Sequence, residues 1–320
     1  MNKLCLLFLI VIIGLIVFEV VSSVDNAIIN AHVLKTMSVR WRKIFLFWGI
    51  ITAVFLVRGL LPLVVVWLSV PEIGFWGAFR SMFERSPEIA ELLRAREGII
   101  LIGAGVFLFL IYLHWLFLEK KDSYFMPDKL VKPHYGVWFF AIAAMLLVAL
   151  LYLAKFSPFL MLSAAVGYAI FFIMYGFREQ AAQQEAKMLG QDSHLSDFSK
   201  LMYLEVLDTS FSVDGVLGAF AFTTLIPLIF IGNGIGALVV RELTIRGIDK
   251  VARYKWLKNG AMTSIGILGI FLILKSFGVY IPEYLPTFTT ISLVGLTFFK
   301  SHQLLRKNGV SLKEKTPKSH

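Results

Sequence analysis

Two acidic motifs lie nearly two hundred residues apart in otherwise hydrophobic sequence: Glu19-Val20-Val21-Ser22-Ser23-Val24-Asp25-Asn26, and Glu205-Val206-Leu207-Asp208-Thr209-Ser210-Phe211-Ser212-Val213-Asp214. In each, a Glu precedes a Ser-Val-Asp step. A carboxylate at the centre of a bilayer costs roughly 2.5–3.5 kcal/mol on insertion scales, so residues of this kind mark a bundle interior or an ion pathway. Glu19, Asp25, Glu205, Asp208 and Asp214, with the Asn26 carboxamide and the serine hydroxyls, offer only oxygen. That donor set suits hard divalent cations such as Mn²⁺, Mg²⁺ or Ca²⁺. The single cysteine, Cys5, and the absence of any Cys or His pair at ligand spacing argue against soft-metal chemistry. The cation is therefore expected as cargo, and no cofactor is expected.

Enzyme chemistry is not expected either. No nucleophile and base stand at recognisable spacing, and neither a His-Glu-x-x-His pattern nor a nucleotide-binding loop occurs. Five other polar residues fall within apolar stretches or at their ends. Arg58 could gate the site, hold its charges together without cargo, or snorkel to the interface. Asn233, in Gly232-Asn233-Gly234, could line the pathway or mark close helix packing. His32, His114 and His302 sit at the ends of apolar runs and read as interfacial or structural.

The elements that must position these residues are membrane helices. The chain of 320 residues is 58% hydrophobic and 16% charged, with apolar runs well beyond the ~18 residues that suggest a crossing, so no soluble-domain reading survives. Nine spans are expected, at about 4–34, 44–70, 98–118, 135–154, 157–177, 202–222, 225–240, 260–278 and 286–303. Net charge is +10, yet the basic residues lie in short connectors rather than one patch, which excludes nucleic acid as the expected partner and leaves the lipid bilayer. With the N-terminus outside, Lys35 to Lys43, Lys120 to Lys132, Arg178 to Lys200, Arg241 to Lys258 and the tail from Arg306 all fall inside, as the positive-inside rule asks. Glu19 and Asp25 stand where a signal-peptide cleavage region would be, so the first span is expected to be retained.

This topology makes the two motifs antiparallel, because span one runs inward and span six runs outward. Asp25 and Asp214 should then meet near one depth, related by a pseudo-two-fold axis in the membrane plane, with spans 1–3 and 6–8 as inverted repeats. Val57-Arg58-Gly59-Leu60 and Val240-Arg241-Glu242-Leu243 form a weaker echo. At 100° per residue, Asp25 lies about 120° from Glu19, and Asp214 points roughly opposite Glu205. A straight helix cannot direct all of them at one point. Local unwinding is therefore expected at Ser22-Ser23 and again over Ser210 to Gly215. The expected organisation is 1–118 as first repeat, 119–201 as spans four and five with connectors, 202–303 as second repeat plus span nine, and 304–320 as a basic cytoplasmic tail. Residues 71–97 read as an external amphipathic surface segment.

The motifs resemble those of the TerC family, tellurium-resistance membrane proteins within the LysE transporter superfamily. Glu19 through Asn26 is similar to the family's first motif, with Ser23 at the serine position, and Glu205-x-x-Asp208-x-x-x-Ser212-Val213-Asp214 is similar in spacing to its second. Ser210 to Ala221, followed by Gly232-Asn233-Gly234-Ile235-Gly236-Ala237 and Val240-Arg241, looks most like a branch of that family without an assigned function. The resemblance implies a divalent-metal transporter of the cell membrane, with manganese efflux favoured and Glu19, Asp25, Asn26, Glu205, Asp208 and Asp214 at the family's motif positions. Two departures stand out. Gly215 follows Asp214 where many TerC proteins have Ser. Span eight opens with Lys258-Asn259-Gly260 where the closer branch is acidic and His-containing, which would alter selectivity or rate if that position handles metal. Crowded buried carboxylates hold protons, so metal entry would displace them and couple transport to protons. The alternative is a non-transporting stress-response or assembly protein using the same acidic site.

Overall fold

The computed structural model describes residues 3–50, 52, 58–80, 87–131, 136–189, 196–246, 251 and 253–307. These form helices α1 (Lys3–Ser22), α2 (Val24–Lys35), α3 (Val39–Ile50), α4 (Arg58–Ser69), α5 (Gly74–Arg80), α6 (Pro87–Leu118), α7 (Met126–Leu130), α8 (Gly136–Leu153), α9 (Pro158–Leu189), α10 (Asp197–Ala219), α11 (Ile226–Arg246), α12 (Leu257–Ser276) and α13 (Tyr284–Lys307). No strand occurs among the described residues. The protein is an all-α polytopic membrane protein, as backbone hydrogen bonding without water requires. The 304–320 tail lies largely outside the described residues.

Among the described residues, six helices, α1, α6, α8, α9, α11 and α12, are long and apolar enough to cross a bilayer, or up to seven elements if a bent pair counts as one. That is fewer than the nine expected, for identifiable reasons. The first expected span divides at Ser23 into α1 and α2. The second separates into α3 and α4, and α4 turns through 106° into the segment ending at Arg80. Pro71 and Gly74, whose φ is 62°, supply that corner, since proline lacks the helical N–H and glycine tolerates the left-handed region. The sixth and ninth expected spans are α10 and α13, of 23 and 24 residues. Asp197, Lys200, Glu205, Asp208 and Asp214 in α10, and the Thr and Ser residues of α13, make them too polar to pass on composition, although Asp214, Thr287, Thr290 and Thr297 are buried by their neighbours.

The centre of the bundle is α6. From Ile100 to Phe117 its side chains are buried on nearly every face, Ile102, Val106, Phe107, Leu108 and Leu110 completely. Lipid-facing α8, by contrast, leaves Val137, Met145, Val148 and Tyr152 exposed. Antiparallel α6 and α12 approach so closely that a Cβ on Gly105 would sit 2.9 Å from the Gly269 carbonyl oxygen, and one on Gly269 2.8 Å from the Phe109 nitrogen. Small residues at such a crossing replace the hydrophobic drive that lipid removes. Ion pairs clamp the two helices at both ends: Lys258 to Glu119 at 2.5 Å and Lys275 to Glu97 at 3.0 Å. Against this pair lies a second layer in which α1 packs on α11, α10 and α13.

Candidate functional site

Glu19 sits in the last turn of α1, just before the break at Ser23, and is completely buried. Its Oε1 accepts from Ser23 Oγ at 3.0 Å and from Arg58 Nε and a terminal Arg58 nitrogen at 3.1 and 2.6 Å. Arg58, the first residue of α4, is itself 3% exposed. Two glycines form the slot that admits this carboxylate. A Cβ on Gly236 of α11 would lie 2.6 Å from Glu19 Cβ, and one on Gly215 of α10 would collide with Glu19 Oε2. The glycine after Asp214 thus has a steric reason.

Asp214, one residue earlier on α10, is 7% exposed and is paired by Oδ2 with Arg178 from α9. The Arg178 guanidinium also stacks 4.6 Å over the Phe211 ring, which holds it against α10. Glu19 and Asp214 are near enough to repel each other electrostatically. Asn233 of α11, fully buried, donates from Nδ2 to the Gly215 carbonyl oxygen at 3.1 Å.

A second group lies nearer the start of α10. Asn26 Nδ2 donates to Asp208 Oδ1 at 2.6 Å, joining the two motifs directly. Glu205 and Asp208 share the electrostatic influence of Arg241, from the C-terminal part of α11, and Asp208 also acts on Arg58. Arg241 donates to the Phe45 carbonyl oxygen and lies 4.5 Å over the Phe45 ring. Gly49 of α3 leaves the room they need, because a Cβ there would stand 2.5 Å from Glu205 Oε1 and 2.7 Å from an Arg241 nitrogen.

Asp25 belongs to neither group. It is about a third exposed and meets Lys258 at 2.7 Å, while Lys258 also holds Glu119. The expected meeting of Asp25 with Asp214 is therefore corrected: they are held by different partners on different helices. The cause is the roughly 120° between positions 19 and 25 around a helix axis. Turning Glu19 towards α10 and α11 points Asp25 at α12. Burial pushes the Glu119 carboxyl up, but hydrogen bonding to His114 and the charge and hydrogen bond of Lys258 outweigh it and hold Glu119 down at about 2.

The expected helix break occurs at the first motif and not at the second. In α2 the Ala27 nitrogen still reaches the Ser23 carbonyl oxygen at 2.9 Å, so the interruption is confined to Ser23. Helix α10 runs unbroken through Ser210, Ser212 and Gly215, with its hydroxyls turned back on their own backbone, Ser210 Oγ to Val206 O at 2.9 Å and Ser212 Oγ to Asp208 O at 2.8 Å. Arg178, Lys258 and Glu119 were not singled out as site residues. Lys258 was legible as a departure within its segment, whereas Arg178 lies one residue past the expected end of span five, in a helix that continues to Leu189.

Among the described residues, no three Asp, Glu, His or Cys side chains are grouped so as to hold a metal ion. What the arrangement holds is oxygen donors, each acid next to a basic side chain or carboxamide. A family model matches residues 24–308, and the family is described as "Protein of unknown function (DUF475)". No curated protein and no solved structure matches the chain significantly.

Proposed function

Since the chain belongs to the DUF475 family, whose description assigns no activity, we propose from its site that it is a divalent metal ion transporter exporting manganese across the cell membrane. The observation that carries this reading is the concentration of Glu19, Asp208 and Asp214, with Glu205, inside a membrane bundle whose counter-charges are the side chains of Arg58, Arg178 and Arg241. Carboxylates whose charge is balanced by the protein's own cations can exchange those cations for another. A bound Mn²⁺ would take carboxylate oxygens while the arginines move to neighbouring acids, as Asp208 offers to Arg58. The resemblance of both motifs to TerC proteins supports manganese over calcium or magnesium. Rocking of spans 1–3 against spans 6–8, with protons as the exchanged ion, is the working cycle we propose.

Mn²⁺ uptake and release in proteoliposomes, with Ca²⁺ and Mg²⁺ as competitors, tests it. Wild type should carry Mn²⁺, faster with an opposing pH gradient, and the Asp208→Asn/Asp214→Asn pair should not while still eluting as a monodisperse protein. Full charge pairing of Glu19, Asp25 and Asp214 favours a second reading, a non-transporting assembly or stress-response protein in which the pairs hold helices together. Absence of transport by well-folded wild type would decide for that one.

A further inference from the structure

The two arginines leave a pattern among the acceptor atoms they do not touch. Arg58 holds Glu19 by Oε1, and Arg178 holds Asp214 by Oδ2. The other oxygen of each, Glu19 Oε2 and Asp214 Oδ1, is buried and faces no donor among the described residues, and so does Asn233 Oδ1. Such orphans are rare in native interiors, because each keeps its full desolvation penalty. These three come from α1, α10 and α11 and gather around Gly215. Glu19 Oε2 lies where a side chain of Gly215 would begin, Asp214 precedes it in α10, and Asn233 is hydrogen-bonded to its carbonyl oxygen. That last bond also settles the amide orientation, since only Nδ2 can donate to a carbonyl, so Oδ1 is the atom left over.

We propose that the transported cation binds beside Gly215, coordinated by Glu19 Oε2, Asp214 Oδ1 and Asn233 Oδ1, which makes Asn233 a ligand and a determinant of which divalent ion is accepted. This rests on the transport reading. Two carboxylate oxygens and a carboxamide oxygen form a hard donor set. A neutral third ligand binds less tightly than a third carboxylate would, which suits a site that must release its ion. Gly215 keeps Glu19 Oε2 uncovered, and the arginines engage Glu19 Oε1 and Asp214 Oδ2 while leaving the other oxygen of each carboxylate unpartnered.

Binding of Mn²⁺ alone to detergent-purified full-length protein, followed by electron paramagnetic resonance, and transport in proteoliposomes together test the site. Asn233→Ala should weaken Mn²⁺ binding about tenfold or more, the scale seen when groups around a metal are removed. Asn233→Asp should tighten it, because the new carboxylate adds a charged oxygen. A purely structural amide would instead leave both variants weakened alike through loss of the bond to the Gly215 carbonyl, and that result overturns the proposal. Unchanged affinity in both overturns it too. If Asn233→Ala does not fold, Gly215→Ala reports the same site from α10: its methyl covers Glu19 Oε2, and undiminished Mn²⁺ binding there refutes the assignment. Wild type that binds no Mn²⁺ removes the site and the transport reading together, whereas the expected binding pattern without transport removes the transport reading alone.

Discussion

The pairing of Glu19 with Arg58 predicts a non-additive response to mutation. Arg58→Met leaves a carboxylate that is completely buried without its counter-charge, and Glu19→Gln removes the carboxylate to which the Arg58 guanidinium, 3% exposed, donates. Two charged hydrogen bonds, at 3.1 and 2.6 Å, join the pair, each worth about 1.5–3 kcal/mol. Breaking a buried pair from one side typically costs about 3–5 kcal/mol, whereas replacing both partners with neutral side chains of similar volume is often close to neutral. Each single variant should therefore lose on the order of 6–10 °C in Tm, at ~2 °C per kcal/mol for a chain of this size, and the Glu19→Gln/Arg58→Met double variant should regain at least half of the loss. Thermal melts in detergent, read by fluorescence-detected size exclusion, measure all four corners of the cycle. A double variant as destabilised as the sum of the singles would refute the reasoning, as would an Arg58→Met protein melting within about a degree of wild type. In the first case the two groups do not compensate each other; in the second Glu19 does not depend on Arg58.

Two further outcomes follow from the geometry. Gly236→Ala would set a methyl 2.6 Å from Glu19 Cβ and 3.3 Å from the Ile16 carbonyl oxygen, so α1 and α11 must separate; a loss of about 1–3 kcal/mol and of Mn²⁺ transport is expected, and an unchanged Tm would sink the close-approach argument. Glu119, held at about 2 in the folded protein and titrating near 4.5 when unfolded, stabilises the junction of α6 and α12 above its unfolded value and ceases to do so as pH falls from about 4.5 towards 2. Tm measured from pH 5 to 3 should therefore fall more steeply in wild type than in Glu119→Gln; parallel slopes would show that the carboxylate is not held down by Lys258 and His114.

Much of this site was legible residue by residue. The two acidic motifs stood out because charge in an apolar run is costly wherever the helix ends up, and the same logic singled out Arg58. The 100° step per residue already required a break if Glu19 and Asp25 were to converge, and a break is present at Ser23. Its consequence was nevertheless different, because α1 and α2 stay nearly continuous and Asp25 turns to Lys258 on α12. At the second motif the hydroxyl-rich stretch suggested unwinding, yet Ser210 and Ser212 satisfy their own helix, a choice that composition alone does not distinguish.

Membrane character, an all-helical fold and the identity of the acidic residues follow from local composition, since the bilayer sets the free energy of each segment almost independently of its neighbours. Which base answers which acid was decided only by packing. Arg178 reaches Asp214 because α9 continues past its apolar stretch and lies beside α10, Lys258 reaches Asp25 because α12 packs against α6 and α1, and Glu19 enters its slot because Gly215 and Gly236 let three helices close on it. Such contacts depend on the rotation and translation of whole helices, quantities that arise from many van der Waals terms between residues far apart in the chain and that no window of sequence carries.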